Sequence, residues 1–486
     1  MADIVLAAIN AKYIHPALGL RYLFANLGPL IPRTRLLEFD LRKPTRDVAT
    51  AILAHEPRIV GLGVHIWNTR LVAEVITLLK ADRPDLVIVL GGPEVSFDAA
   101  DHETCRQADY IITGEADLEF SDLCSAILGG SRPASRIIQA APVELETLAL
   151  PYPLYTADDL AHRLTYVETS RGCPYACEYC ISARDVTLRY FPLPRVFEAF
   201  DDLLQRGARR FKFVDRTFNV DIPRAITILE FFLERMQPGL FVHFEMVPER
   251  FPEELRQVIR RFPDGSLQFE IGIQTFNTDV AARIKRTMDA PRIEENLRFL
   301  RNDTHAHIHA DLIAGLPGES MDSFAAGFDR LLALQPHEIQ VGILKRLRGA
   351  PIARHDAEWS MEYDTEPPYE ILGNRLIARK DMDRLRHFAR FWEVIANRGD
   401  FACAAPMIWR EQPSAFHAFM ELSDWLFARF GRHFGIPLEE LSEAIFDFLT
   451  GTRGIKTTEV TDALSRDYTD GRPLRRLPKF LRTEVD

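Results

Sequence analysis

The chain has 486 residues, 47% of them hydrophobic, and a formal net charge of -11. That length exceeds one ordinary core and predicts two or three domains. The acidic balance disfavours broad nucleic-acid binding, with one local basic stretch near the end, "GRPLRRLPKFLR", as the exception; no apolar run is long enough for a membrane span.

The opening "MADIVLAAIN" lacks a basic region ahead of its apolar run, so it reads as a first strand and not as a signal peptide. Strands "DIVLAAIN", "TRLLEFDL", "IVGLGVHI", "LVIVLGG" and "DYIITGE" alternate with helical runs such as "LVAEVITLLKAD" over residues 1–130. Near-continuous apolar strands in this rhythm predict an α/β doubly wound, flavodoxin-like domain with a parallel sheet covered on both faces. Residues 131–163, rich in Pro, Ala and Ser without a period, read as a linker.

Alternation resumes over 164–352. "LTYVETS", "RFKFVDRTF", "FVHFEMVP", "SLQFEIGIQ", "HIHADLIAGLP" and "EIQVGILKR" are strand candidates with helices between them. Six such units predict a partial (β/α)6 TIM-type barrel with its chemistry at the carboxyl ends of the strands. From 353 to 486 helical periodicity takes over, and an α-helical domain is expected.

Directly after the first barrel strand comes "TSRGCPYACEYC". Cys173, Cys177 and Cys180 place three soft thiolate ligands on one loop. Structural zinc wants four protein ligands, and the nearest other candidate, His162, lies across a predicted strand. Three thiolates can hold three irons of a 4Fe–4S cube and leave the fourth iron open. Cys105, Cys124 and Cys403 are isolated and are not expected to bind it. Without an export signal, six cysteines suit a reducing cytoplasm.

This Cys-x3-Cys-x2-Cys spacing, with Tyr179 ahead of the third Cys, resembles the radical S-adenosylmethionine (SAM) superfamily. The resemblance implies that SAM chelates the open iron and is cleaved by one electron to a 5′-deoxyadenosyl radical, with Tyr179 against the adenine. It also implies SAM contacts for Glu245 in "FVHFEMVPER", Gln274 in "FEIGIQTFN", Arg286 in "IKRTMD", and Asp311, Gly315 and Pro317 in "HADLIAGLPGE". Glu270 shares a strand face with Gln274 by period two. A Gly-Gly-Glu-like turn is replaced by "FVDRTFN", which offers Asp215 at the strand end.

In the first domain no Gly-x-Gly-x-x-Gly follows strand one, which argues against NAD. Gly91, Gly92 and Pro93 follow strand four, and Gly114 and Glu115 follow strand five, at the sheet edge where ligands bind. With the barrel behind it, this pattern resembles the B12 (cobalamin)-binding domain of cobalamin-dependent radical SAM proteins. The subgroup has a C-terminal helical domain of unassigned function. The Asp-x-His-x-x-Gly cobalt-ligand motif is absent, so the expectation is no histidine on cobalt; His15 and His65 are the candidates against it. His305, His307 and His309 alternate and are weak metal candidates.

The expected activity is methylation of an unactivated carbon on a small-molecule or peptide substrate, with a flavodoxin- or ferredoxin-type electron donor. Alternatives are a rearrangement or sulfur-insertion enzyme on the same cofactors, and a non-catalytic cluster- and cobalamin-binding protein.

Overall fold

A computed structural model describes residues 2–184, 186–286, 288–469 and 477–481. Of the basic stretch at 471–482, only 477–481 lies within the described residues.

The first unit is a parallel sheet. Its strands are β1 (Ile4–Asn10), β2 (Thr34–Asp40), β3 (Ile59–Gly63), β4 (Val87–Gly91), β5 (Tyr110–Thr113) and β6 (Ile137–Gln139), in the order β2-β1-β3-β4-β5-β6. Every pairing is parallel. All seven residues of β1 are buried. Alternate side chains enter two separate cores: Val5, Val60 and Ile88 on one face, and Leu6, Val89 and Ile112 on the other. A strand covered on both sides can spare no polar position, hence its continuous apolar run. β6 corrects the linker expectation: Ile137–Gln139 pairs with β5 and extends the sheet. Tyr152 and Tyr155, from the same stretch, are fully buried under the second unit.

The second unit begins with β7 (Thr165–Val167). A short antiparallel pair, β8 (Ser170–Arg171) and β9 (Arg189–Tyr190), follows it. β10 (Arg210–Phe213), β11 (Phe241–Met246), β12 (Leu267–Gln274), β13 (His307–Ala314) and β14 (Glu338–Ile343) complete an all-parallel six-stranded sheet. Its edges, β7 and β14, are not paired with each other, so the barrel is partial. The period-two expectation holds along β12, where Leu267, Phe269, Ile271 and Ile273 are buried and Gln268, Glu270, Gly272 and Gln274 are half-buried toward the lumen. Behind β10 and β11, Phe200, Phe211, Phe213, Phe232 and Phe244 are fully buried and hold the helices Leu193–Gln205 and Ile222–Glu234 on the sheet. Truncating one such ring costs about 3–5 kcal/mol.

After β14 the chain is mainly helical. A two-stranded antiparallel hairpin, β15 (Glu362–Tyr363) with β16 (Ile371–Gly373), departs from the all-helical expectation. Helices Arg379–Trp392 and Ala415–Phe430 pack Phe388, Trp392 and Phe416 against Phe328 of the barrel helix Met321–Ala333. Barrel and tail therefore share one continuous apolar core.

Candidate active site

The cysteine loop is closed at its base by β8 and β9, through the pairs Ser170 with Tyr190 and Arg171 with Arg189. Gly172 starts it at φ +90°, and a Cβ there would lie 2.0 Å from the Thr187 carbonyl oxygen, so only glycine fits. Cys173 and Cys177 are buried and Cys180 half-buried, and none of the three is in a disulfide. The three loop thiols sit close enough for Cys177 and Cys180 to act electrostatically on Cys173. Among the described residues no three His, Cys, Asp or Glu side chains converge as ligands to a single ion would. A cube makes a different demand, since each thiolate takes its own iron. Of the histidine run, His305 lies outside β13. Burial pushes the Cys105 and Cys124 thiols up to about 11 and about 12, which keeps them protonated.

The loop is clamped from outside. Glu178, with 1% of its side chain exposed, lies between Cys177 and Cys180 and meets His355 Nε2 and Arg354 Nη2 at 2.7 Å each, and Lys285 Nζ at 3.4 Å. Its amide donates to the Ile284 carbonyl at 3.0 Å. Arg354 and His355 belong to the segment after β14, so the tail reaches the loop.

A cavity of about 370 Å³ opens between the cysteines and the carboxyl ends of β11, β12 and β13. Tyr179, Glu245, Glu270, Gln274, Arg286 and Asp311 all line it. Burial pushes the Glu245 carboxyl up to about 7. Burial also acts to raise Glu270, but the His243 imidazole 3.2 Å away and the Lys212 charge outweigh it and hold the group to about 2. His309 stands between Asp311 and Glu338 at 3.1 Å from each; burial disfavours its charge, yet the two carboxylates raise it to about 10. The polar face of β13 is therefore an ion array bracing Asp311.

Gln274 has φ +71° at a register shift after Gly272, and its carboxamide folds back to 2.4 Å from where a Gly272 Cβ would lie. Arg286 is partly committed: one guanidinium nitrogen donates to the Gly272 carbonyl, and the other faces Tyr179 Oη at 3.5 Å and Cys177 Sγ at 3.7 Å.

Three further residues expected at SAM are outside this lining. Asp215 is buried outside the cavity, where its carboxylate accepts from the Thr169 amide and hydroxyl and the Ser170 hydroxyl. It fastens the loop's first residues. Gly315 and Pro317 also lie outside the lining: Gly315 packs under Ile371 and Met382 of the tail, and the Pro317 carbonyl accepts from Arg283.

A second cavity, about 520 Å³, lies at the carboxyl edge of the first sheet and includes Gly91, Gly92, Pro93, Gly114 and Glu115. Gly92 and Gly114 have φ +105° and +81°, and a Cβ would meet the Val64 and Ala140 carbonyl oxygens at 2.6 and 2.7 Å. These two glycines thus answer first to their own backbone. Glu115 pairs with Arg189 and accepts from the Val143 amide at 3.0 Å. His65 lines this cavity, stacked on Trp67 at 4.4 Å, and burial lowers it to about 4, so it is a neutral imidazole. His15 is engaged elsewhere, 2.8 Å from Tyr166 Oη on β7.

Sequence reasoning missed Arg171 and Arg216. Arg171 binds Asp117 through two hydrogen bonds of 2.9 and 3.0 Å and also Glu168, joining the two units. Arg216, in "VDRTFN", lines both cavities. The missing Gly-Gly-Glu-like turn was the available signal for it.

Family models match along the chain: B12 binding domain at 4–123 and Radical SAM superfamily at 167–331. The chain thus joins a B12-binding domain to a radical SAM domain. A third model, Protein of unknown function (DUF4080), matches the tail at 357–486. Among curated relatives, the 2-(S-pantetheinyl)-carbapenam-3-carboxylate methyltransferase of Streptantibioticus cattleyicolor is 26% identical over 65% of this chain and 51% of its own. The cobalamin-dependent radical SAM methyltransferase TokK of Streptomyces tokunonensis is 26% identical over 64% and 50%. The chain thus spans about half the length of these relatives. OxsB, a cobalamin-dependent SAM radical enzyme solved with aqua-cobalamin, superposes with a TM-score of 0.63 at 13% identity over 96% of this chain and 84% of that one. TsrM of Kitasatospora setae, a radical SAM methyltransferase, gives 0.60 at 17% identity over 76% and 80%. At these identities the two structures share the fold.

Proposed function

We propose that this protein is a cobalamin-dependent radical SAM methyltransferase acting on an unactivated carbon of a small molecule. One observation carries the reading: the cavity beside the three free thiols and the cavity at the glycine-rich sheet edge border the same residue, Arg216. Two cofactors so placed would face one substrate from two sides. The two curated relatives are methyltransferases by name, and one name specifies a carboxylate-bearing carbapenam.

Cys173, Cys177 and Cys180 would hold a 4Fe–4S cluster. Glu245, Glu270, Gln274, Arg286 and Asp311 would seat SAM, with Tyr179 against its adenine. The sheet edge from Gly91 to Pro93 with Gly114 and Glu115 would hold cobalamin. When bound, these groups supply one-electron cleavage of SAM and a transferable methyl group. The residues contribute position: His309 and Glu338 fix Asp311, His243 and Lys212 keep Glu270 ionised, and the Glu178 clamp steadies the cysteine loop. Three loop cysteines outside any disulfide suit a cytoplasmic setting and a flavodoxin- or ferredoxin-type donor.

The test is anaerobic reconstitution with iron, sulfide and cobalamin, then counting of iron and cobalt, and mass analysis of products formed from methyl-labelled SAM. About four irons per chain, one cobalamin and 5′-deoxyadenosine are expected. The triple Ala variant of the loop cysteines should bind neither cluster nor SAM. Iron uptake by that variant, or failure of the wild type to bind cobalamin, would end the proposal.

A further inference from the structure

Of the residues described, Arg216 is the one common to the linings of the two cavities. It follows β10 in an irregular turn, and 55% of its side chain is exposed. Its nearest opposite charge is Glu245 Oε1, 3.7 Å from Nη1, beyond hydrogen-bond distance. Three neighbouring arginines are differently employed. Arg171 is spent on Asp117 and Glu168, Arg189 on Glu115, and Arg286 on the Gly272 carbonyl. Glu245 is itself a poor counter-ion, since burial leaves it only partly ionised near neutrality.

A guanidinium is planar, always charged and rich in donors, and it matches carboxylate or phosphate oxygens in pairs. While the cavities are open to water its charge is solvated. A molecule spanning the junction would strip that water and leave the cation without compensation, which is unfavourable. The occupant of the junction must therefore bring negative charge.

We infer that Arg216 anchors the substrate, and that the substrate carries an anionic oxygen group, carboxylate or phosphate, close to the carbon that reacts. The inference rests on the proposed function and names its substrate class. Arg216 touches the substrate in this arrangement and leaves the cluster, SAM and cobalamin to other residues.

The experiment uses the full chain loaded with cluster, cobalamin and SAM, and wild-type loading is verified first, so failure of the broader reading is seen separately. Saturation-transfer NMR then measures binding of benzoate, phenyl phosphate, benzamide and benzylamine. Wild type should bind one anion at least about tenfold more tightly than the neutral and cationic probes. Which anion wins separates carboxylate from phosphate. Arg216→Gln should abolish that preference, Arg216→Lys should keep part of it, and both should load iron, cobalt and SAM within about twofold of wild type. Absence of anion preference, or its survival in Arg216→Gln, overturns the inference. So does a loss of about tenfold or more in SAM or cobalamin binding by Arg216→Gln, which would reassign the guanidinium to a cofactor.

Discussion

Replacing Glu178 by Gln keeps the shape of the cysteine loop and removes one buried charge. Arg354 and Lys285 are 50% and 55% exposed and regain water when the carboxylate is lost. His355, 7% exposed, does not. The cost is therefore close to one charge-assisted hydrogen bond, about 2 kcal/mol, which corresponds to a roughly 30-fold rise in loop opening. Native-state hydrogen exchange reads this directly, because the Glu178 amide is hydrogen-bonded to the Ile284 carbonyl. The Glu178 amide should exchange about 30-fold faster in Glu178→Gln, while strand amides in β11 to β13 keep their protection. His355→Ala should reproduce the effect and Arg354→Ala should produce less of it. An unchanged Glu178 rate, or equal acceleration across the barrel, would refute the clamp.

Asp311→Ala and Gln274→Ala should each weaken SAM binding by about 1–3 kcal/mol, roughly 5- to 150-fold, with iron content unchanged; wild-type rates of reductive SAM cleavage in both would remove them from the site. Glu245 carries a carboxyl raised from 4.5 to about 7, so the folded chain binds its proton more tightly than the unfolded one. Stability should accordingly fall as pH rises from about 4.5 through 7 and level off above. The melting temperature of Glu245→Gln should decline less than that of wild type between about pH 5.5 and 7.5, with Glu319, also raised to about 7, and His309, raised to about 10, among the groups that set the slope both share; parallel curves would contradict this. Bound cobalamin with cobalt in its +2 state should give an electron paramagnetic resonance spectrum without axial-nitrogen splitting, since the ligand motif is absent and the His65 ring is stacked on Trp67. Nitrogen splitting that vanishes in His65→Ala would show the opposite.

Strand positions and the polar face of the barrel were legible in the sequence because they follow from period two and burial, which are local. The cysteine loop was legible because its three cysteines are neighbours in the chain and glycine marks the turn. Asp215 could not be placed that way. The same carboxylate at a strand end can face a ligand or fasten a backbone, and the Thr169 and Ser170 donors that decide it lie 46 and 45 residues away. Gly315 and Pro317 were likewise decided by what packs over them, namely Ile371, Met382 and Arg283. β6 has only three residues, too few for a period, and exists because β5 offers an edge. Arg216 shows the same division. Its charge was written in the sequence, but only the docking of a sheet edge onto a barrel mouth places one guanidinium between two cavities, because that juxtaposition depends on contacts between residues more than a hundred positions apart, such as Glu94 with Tyr369.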